Sequence, residues 1–367
     1  SVFFINNNDI YYLNMKKFLL FFYIVVFLLK TGNVLSNNSI FNVNNIQIDK
    51  KLYKNNDNFL DKAFKKGFEK LSKRILLKKD LSKVSNLNLQ EIKNLISYYQ
   101  IDNEDLAEEQ NKDFIKVNLQ FDREKLNNLF YQKNILYSDL KKSEVIVFPL
   151  HVKNDNTYIF DDNYFYNNWV DKKTTNKKDS DQVEYLLPIE SLEIIQLIKN
   201  KSNEVESINV SEIIDDYKIV NKFFIIIFEN NANFSFFLRG SIDGKKVVKN
   251  FKYIKSNSNK DLLYKDIINQ AKGNILEILK SKNLIDIKTP SFLNLELSIK
   301  NKSDLFKTRE ILKSIDLIEK YNVLELTKDT VKIKVKHFGK LEQISEKLKD
   351  KGIKLKNFEN VWTMELL

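Results

Sequence analysis

The first half of the chain carries hydrophobic patterns of both helices and strands. Between residues 57 and 79, apolar side chains recur every three or four positions, which predicts an amphipathic helix. Apolar and polar residues alternate over 115–121, as in a half-buried strand, and the apolar run over 145–150 is typical of a buried central strand. Weaker patterns predict a strand and two more helices: 40–48, 88–99 and 122–132. We therefore expect a first α/β domain over residues 37–150.

Residues 182–288 predict a second α/β domain. Two short helices, a three-stranded meander and one long helix follow one another: 190–199, 209–220, 223–228, 234–238, 247–254 and 259–281. Asp243-Gly244, between the last two strands, is the signal of a two-residue hairpin turn. The segment before this domain, 151–181, is polar, aromatic and charged, which predicts an exposed loop region.

The last part of the chain, 291–367, has the most regular pattern. Strands and helices are predicted in the order 293–299, 303–315, 322–327, 330–336, 340–351 and a final strand that carries Trp362, Met364 and Leu366 on one face. This is the βαββαβ order of a ferredoxin-like unit. The expected fold class is α+β or α/β, with small mixed sheets that have helices on one face, followed by this C-terminal unit.

The N-terminal residues predict export. Residues 15–36 have a basic start, an apolar run over 18–29 and a polar end, the layout of a secretory signal peptide with cleavage between Ser36 and Asn37. The run is shorter than the ~20 residues of a membrane-spanning helix. Residues 1–14 would be a spurious upstream extension. We expect the mature chain in the periplasm. If the segment stays uncleaved, the chain would instead be a scaffold tethered to the inner membrane.

The composition excludes several kinds of site. The 367 residues include no Cys, only two His and seven Gly. Disulfides, thiolate metal sites and lipid-anchored cysteines are excluded, and one chain cannot supply three histidines to a metal. The net charge of +11 comes almost wholly from Lys, whereas Arg, the preferred residue for phosphate and base recognition, is rare. The Lys excess indicates the codon bias of an AT-rich genome, and we expect no nucleic-acid partner, no cofactor and no metal.

A histidine followed by acidic residues is the main candidate for chemistry. His151 follows the end of a predicted strand, and three carboxylates come after it: Asp155, Asp161 and Asp162. Such a set can bind a metal or act in acid–base catalysis, but a polar residue at a strand end is the plainer interpretation. The acidic pair 215–216 is adjacent in sequence, so its side chains point apart, and His337 is expected at an exposed sheet edge. We assign no catalytic residue, and an enzyme that uses residues near 151–162 is the alternative.

A cluster of aromatic residues in the polar segment is the candidate interaction surface. Its members are Tyr158, Tyr164, Phe165, Tyr166 and Trp169. Aromatic side chains in a polar loop can anchor a partner protein. They can also fold back and close the neighbouring layer, which is the interpretation that we favour.

Several local patterns resemble a known family. They are residues 63–71, 98–101, 117–121 with Leu126, 145–150, and Asp162-Asn163-Tyr164-Phe165 with Trp169. Over about residues 40–280 they resemble the DUF2066 family of uncharacterised proteobacterial envelope proteins, although the family's proline and first tryptophan near residue 163 are absent. The resemblance implies a location in the cell envelope of a Gram-negative bacterium and carries over no catalytic residue. The leading hypothesis is an exported, non-enzymatic protein that acts through contacts with envelope proteins as yet unidentified.

Overall fold

The structure is a computed structural model that describes most of the chain after the predicted signal segment. It describes residues 39–50, 52, 58–102, 114–170, 182–214, 216–230, 233–253, 260–358 and 361–367. The predictions for residues 1–14, the signal segment 15–36 and cleavage between Ser36 and Asn37 lie outside these residues, as does segment 171–181.

A three-stranded antiparallel sheet with helices on one face forms the first unit. Its elements are β1 (Asn42–Asp49), α1 (Phe59–Ile75), α2 (Lys78–Leu81), α3 (Leu89–Asn94), β2 (Ile96–Ile101), β3 (Phe114–Phe121), α4 (Arg123–Lys133) and the two-residue strand β4 (Tyr137–Ser138). The strand order is β1-β3-β2. The apolar stripe of α1 and the inward residues of β1 and β3 share one core.

The glycine in the middle of α1 marks the closest approach of this helix to the sheet. A Cβ atom at Gly67 would lie 2.9 Å from Ile46 Cδ1 and would overlap Leu119 Cδ1. Close packing therefore explains a residue that otherwise weakens a helix.

The helix predicted over 88–99 is shorter than expected. Asn88 caps α3, because its Oδ1 atom accepts a hydrogen bond from the Glu91 amide at 2.9 Å. The helix ends at Asn94, and residues 96–101 form β2, which is paired with β3. Aromatic and β-branched residues in this stretch favour a strand once a partner strand is present.

A six-stranded sheet forms the second unit. Its elements are β5 (Ser143–Lys153), β6 (Asn156–Tyr158), α5 (Tyr164–Trp169), β7 (Val183–Leu186), α6 (Leu192–Asn200), α7 (Ser211–Ile214), β8 (Asn221–Asn230), β9 (Asn233–Ile242), β10 (Lys245–Lys252) and α8 (Lys260–Lys282). The order is β10-β9-β8-β5-β6, with β7 also paired with β5. β5 runs parallel to β7 and β8, which places it at the centre of the sheet.

Helices cover both faces of this sheet, whereas the sequence predicts them on one face. Val145 and Val147 of β5 enter the core beneath α5 and α8, and Ile146 and Phe148 enter the core beneath α6 and α7. Two buried faces explain why β5 is apolar at nearly every position.

The predicted boundary between the first domain and an exposed loop at residue 150 is wrong, because residue 150 lies inside β5. The strand predicted as the end of the first domain, 145–150, is the centre of the second sheet. Residues 151–169 are not an exposed loop, because they complete β5 and form β6, a 3₁₀ turn (Phe160–Asp162) and α5. Further along, the predicted hairpin at Asp243-Gly244 is confirmed: both residues have positive φ, 48° and 73°, between β9 and β10.

The third unit is a five-stranded sheet with two helices. After β11 (Leu284–Ile285), which pairs with β4, come β12 (Ser291–Ser298), α9 (Lys302–Ser314), β13 (Ile318–Leu326), β14 (Thr330–His337), α10 (Leu341–Asp350), β15 (Ile353–Phe358) and β16 (Val361–Leu366). The order β13-β14-β12-β16-β15 has one strand more than the predicted βαββαβ unit. The short strand β15 forms a hairpin with β16, and β16 lies parallel to β12.

Buried charged groups connect the three units. The ammonium of Lys280 on α8 donates to the carbonyl oxygens of Lys73 and Leu76 at the end of α1, at 2.5 and 3.0 Å. Lys347 on α10 lies 3.0 Å from both carboxylate oxygens of Asp139, which follows β4. The first and third units also share one hydrophobic core. Within the described residues, no helix is both long enough and apolar enough to cross a membrane.

Candidate functional site

A buried polar cluster lies where the two central parallel strands end. Register pairs Lys153 of β5 with Glu229 of β8, and His151 lies two residues before Lys153 on the same side of the strand. The carboxyl ends of parallel strands meet at one edge of a sheet, which is where α/β proteins commonly place their functional side chains. Tyr264, near the start of α8, completes the cluster from the helix layer.

Glu229 is the centre of the cluster. One carboxylate oxygen accepts from Lys153 Nζ at 2.5 Å, and the other accepts from Tyr264 Oη at 2.7 Å and from His151 Nε2 at 2.9 Å. Because an ionised carboxylate only accepts, the Nε2 atom of His151 carries the hydrogen. One negative charge, on β8, is thus held by three donors, two from β5 and one from α8.

The surroundings set the protonation of this cluster. Burial alone would raise the pKa of Glu229, but hydrogen bonds from Lys153, Tyr264 and His151, with the charge of Lys153, lower it below its usual range. Burial and the neighbouring carboxylate raise the pKa of Tyr264. Glu229 therefore stays ionised and Tyr264 stays a hydrogen donor at neutral pH.

Aromatic rings enclose the imidazole of His151, which is only 5% exposed. The centroids of Phe165, Tyr158 and Tyr264 lie 5.0, 5.5 and 6.0 Å from that of His151. The cluster joins β5, β8 and α8, and the positive charge of Lys153 lies against the negative charge of Glu229. His151 and Glu229 form a hydrogen-bonded pair of the kind used in acid–base chemistry, and this pair is shielded from solvent.

The acidic residues expected beside His151 lie elsewhere. Asp155 is in the turn between β5 and β6, with a positive φ of 62°. Asp161 and Asp162 are exposed in the 3₁₀ turn. Asp216 is exposed, whereas Asp215 lies outside the described residues. Among the residues that the structure describes, no group of three or more His, Asp or Glu side chains could hold a metal ion.

The second histidine, His337, is buried rather than exposed. His337, predicted at an exposed edge, is 3% exposed, and its Nδ1 atom lies 3.3 Å from the carbonyl oxygen of Phe338. Burial lowers its pKa. The end of β14 is covered rather than open, since the neighbouring Phe338 belongs to the core that the first and third units share.

The aromatic cluster is largely core rather than surface. Phe165 and Trp169 are fully buried, and Tyr166 donates its hydroxyl to the carbonyl oxygen of Pro188 at 2.7 Å. Tyr158 and Tyr164 are half-buried beside His151 and Tyr264. The second interpretation, in which these rings close the adjacent layer, is the one that the structure supports.

Asn163 orders this aromatic segment. Its Nδ2 atom donates to the carbonyl oxygen of Pro149 at 2.8 Å, and its Oδ1 atom accepts from the amide of Phe165 at 2.9 Å. The first bond ties the segment to β5, and the second caps α5. A fully buried asparagine thus turns the aromatic face of α5 toward the sheet.

Among the described strands of the third unit, β13 carries the largest group of exposed apolar side chains, and they lie near its C-terminal end. Val323, Leu324 and Leu326 are 56%, 59% and 60% exposed. In the described sheet, β13 pairs with β14 alone. A register irregularity between Val323 and Glu325 adds Leu324 to the strand without a partner residue opposite it.

Ion pairs account for two of the three alternating lysines of β14. Lys332 pairs with Glu325 at 2.8 Å, and Lys336 pairs with Glu319 at 2.9 Å. Lys334 instead lies 4.8 Å from the centroid of the exposed ring of Phe292. The basic pattern of β14 therefore serves contacts between neighbouring strands.

The role of Glu229 and the exposure of β13 are the features that the sequence did not predict. Glu229 follows directly on the apolar run 223–228, so its place after a buried strand was a usable signal. The exposure of β13 gave no such signal, because its apolar residues predict a strand whether or not a neighbour covers it.

Comparison of the chain with protein-family models, with curated proteins and with solved structures found no match in any of the three. The resemblance to the DUF2066 family stays a prediction from local residue patterns.

Proposed function

We propose that this protein is an exported, non-enzymatic envelope protein of the periplasm that acts by binding another protein through the outer edge of β13. The observation that carries the proposal is the exposure of the apolar residues at the end of this edge strand. Apolar side chains grouped at an unpaired strand edge favour association with another chain.

The partner is expected to present an extended, uncharged apolar segment. The backbone of an edge strand can accept a further strand, and its side chains then select the sequence that is added. Glu325 is neutralised by Lys332, so the end of β13 presents no net charge to its partner. The irregular register of β13 restricts pairing to a segment that fits it, which limits unselective association.

Site-specific photo-crosslinking in cells tests this proposal. A photoreactive residue replaces Leu324, and the matched control carries it at Leu192, which is 74% exposed on α6. We expect an adduct of one defined mass from position 324, with the crosslink inside an extended apolar segment of the partner, and its loss when Leu326→Lys is added. A synthetic peptide of that segment should bind the wild type and not L326K. Equal adducts from both positions, or peptide binding that L326K leaves unchanged, would contradict the proposal.

Export has a separate test. The mass of the mature N-terminus, measured on protein from the natural host, should correspond to a chain that starts at Asn37. A chain that retains residues 15–36 would support the tethered scaffold instead. A fusion that localises to the cytosol would contradict both.

The cluster around Glu229 favours one second candidate, an enzyme that uses His151 in acid–base chemistry. Its supporting observation is the 2.9 Å contact between His151 and Glu229 at the carboxyl ends of parallel strands. Turnover of a chromogenic ester, phosphate or glycoside that H151N abolishes, at unchanged thermal stability, would support this candidate. Turnover that persists in H151N, or none by the wild type, would exclude it for these substrates.

A further inference from the structure

The face of the first sheet opposite α1 forms a shallow cleft lined by amide side chains. Its volume is about 270 Å³. The lining residues are Asn42, Asn44, Asn45, Tyr98, Gln100, Asn118, Leu119 and Gln120. None of them carries a formal charge at neutral pH.

Strand register places these groups in rows across the sheet. Asn42, Gln120 and Tyr98 lie opposite one another on β1, β3 and β2. In the next row Asn118 lies opposite Gln100. Cross-strand partners point to the same face, so the rows form one continuous polar surface.

A bulge shapes the cleft. Asn44 and Asn45 together stand opposite Asn118, and Asn45 has a positive φ of 56°. The Asn45 amide donates to Asn118 Oδ1 at 2.9 Å, which fixes the orientation of the Asn118 amide. Asparagine is among the few residues that accept this backbone conformation, so the local sequence favours the bulge.

Two properties of this surface select the chemistry of a ligand. Amide side chains both donate and accept hydrogen bonds, as do the hydroxyl groups of sugars. A charged ligand would lose its hydration against these lining residues without gaining an opposite charge from any of them. Tyr98 is 49% exposed and offers a ring on which the C–H face of a sugar can stack.

An added peptide strand fits this place less well. Lys66 Nζ and Lys70 Nζ donate to the carbonyl oxygens of Gln47 and Asn44 at 2.8 and 3.1 Å, so side chains of α1 already cover part of the backbone of β1. The accessible groups are the side chains of the sheet face.

We infer that this cleft, the amide cleft, binds an uncharged oligosaccharide, with Tyr98 as the stacking platform and Gln100 and Gln120 as hydrogen-bonding groups. The inference is independent of the proposed function, because the amide cleft lies on the first unit and β13 on the third.

Titration calorimetry with two neutral probes tests the inference: a β-linked tetramer of glucose and a β-linked tetramer of N-acetylglucosamine. We expect at least one to bind, and the stronger one shows whether an N-acetyl group contributes. Because the amide cleft carries no charge, affinity should be unchanged between about 50 and about 500 mM salt. Y98A and Q100A should each weaken binding by about tenfold or more.

The control variant is Y131A, since Tyr131 is 58% exposed on α4 outside the amide cleft. It should bind like the wild type. Tyr98 and Gln100 are both exposed, so their variants are expected to fold, and thermal unfolding checks this. No binding of either probe at about 10 mM would overturn the inference. Affinity that Y98A and Q100A leave unchanged, or tighter binding of an uncharged peptide at the same site, would also overturn it.

Discussion

The Nε2 atom of His151 lies 2.9 Å from a carboxylate oxygen of Glu229, although 78 residues separate them in the chain. They meet because β5 and β8 are parallel neighbours that end at the same edge of the sheet. Tyr264 adds a donor from α8, so the contact also fixes the helix layer to the two central strands.

Replacing Glu229 should destabilise the second unit. E229Q removes the charge that holds Lys153, Tyr264 and His151, and we expect a loss of about 2 kcal/mol in the free energy of unfolding. The pKa of Glu229 is lowered in the folded state, so this contribution is present above the ordinary pKa of a glutamate and is lost as the pH falls through the lower folded value. Urea unfolding of E229Q and wild type from neutral to acidic pH measures both effects. Equal stability, or an equal loss in E346Q at an exposed site on α10, would contradict this role.

Replacement of glycine by alanine should lower the stability at one helix position, Gly67, and raise it at another, Gly273. G67A places a methyl group against Ile46 and Leu119, and overpacking should outweigh the gain in helix propensity, for a net loss of about 1 kcal/mol. In G273A the new Cβ would meet only the flexible end of Lys78, 3.2 Å away, so we expect a gain of about 0.5–1 kcal/mol. Thermal or urea unfolding of G67A, G273A and the wild type measures both changes in stability. Stabilisation by G67A would show that α1 does not approach the sheet this closely.

The buried ion pair between Asp139 and Lys347 should contribute more to stability than the exposed ion pair between Lys141 and Asp350. K347M leaves a carboxylate buried without its partner and should cost about 3 kcal/mol, while the double variant with D139N should regain most of that loss. Lys141 and Asp350 connect the same parts of the fold at 2.5 Å but are about half exposed, so K141M should cost less than about 1 kcal/mol. A double-mutant cycle monitored by urea unfolding measures these values. Equal effects of K347M and K141M would be inconsistent with burial as the cause.

His337 should make stability depend on pH in a defined direction. Burial lowers its pKa in the folded state, so protonation favours the unfolded chain. Stability should be complete above the ordinary histidine pKa of about 6.5 and should fall as the pH drops from there through the lower folded value. H337Q should lack this component. The difference in unfolding free energy between wild type and H337Q, followed from about pH 8 to about pH 5, measures it, and parallel pH profiles would contradict it.

Local chemistry made much of the fold predictable. Asn88 caps its helix, Asp243-Gly244 turns its hairpin, and the 145–150 run is buried on both faces, each for a reason contained in neighbouring residues. The α+β class followed from such segments. The helix prediction was wrong for residues 96–99, because a strand at this place depends on pairing with β3, which the periodicity of the segment itself does not contain.

The sites were less predictable because they depend on which strands become neighbours. His151 was a visible candidate, but its partner is Glu229 rather than a nearby aspartate, and only the parallel pairing of β5 with β8 brings the two together. Trp169 lies in a polar segment and is nevertheless fully buried, because Asn163 ties that segment to β5.

Amide hydrogen exchange along β13 tests the proposed protein contact most directly. The measurement compares the free protein with its complex with the partner peptide that crosslinking at position 324 defines, for wild type and L326K. We expect slower exchange at residues 323–326 in the wild-type complex, unchanged exchange along β10, an edge strand of the second sheet, and no slowing in L326K. Slower exchange elsewhere with β13 unchanged would contradict the account.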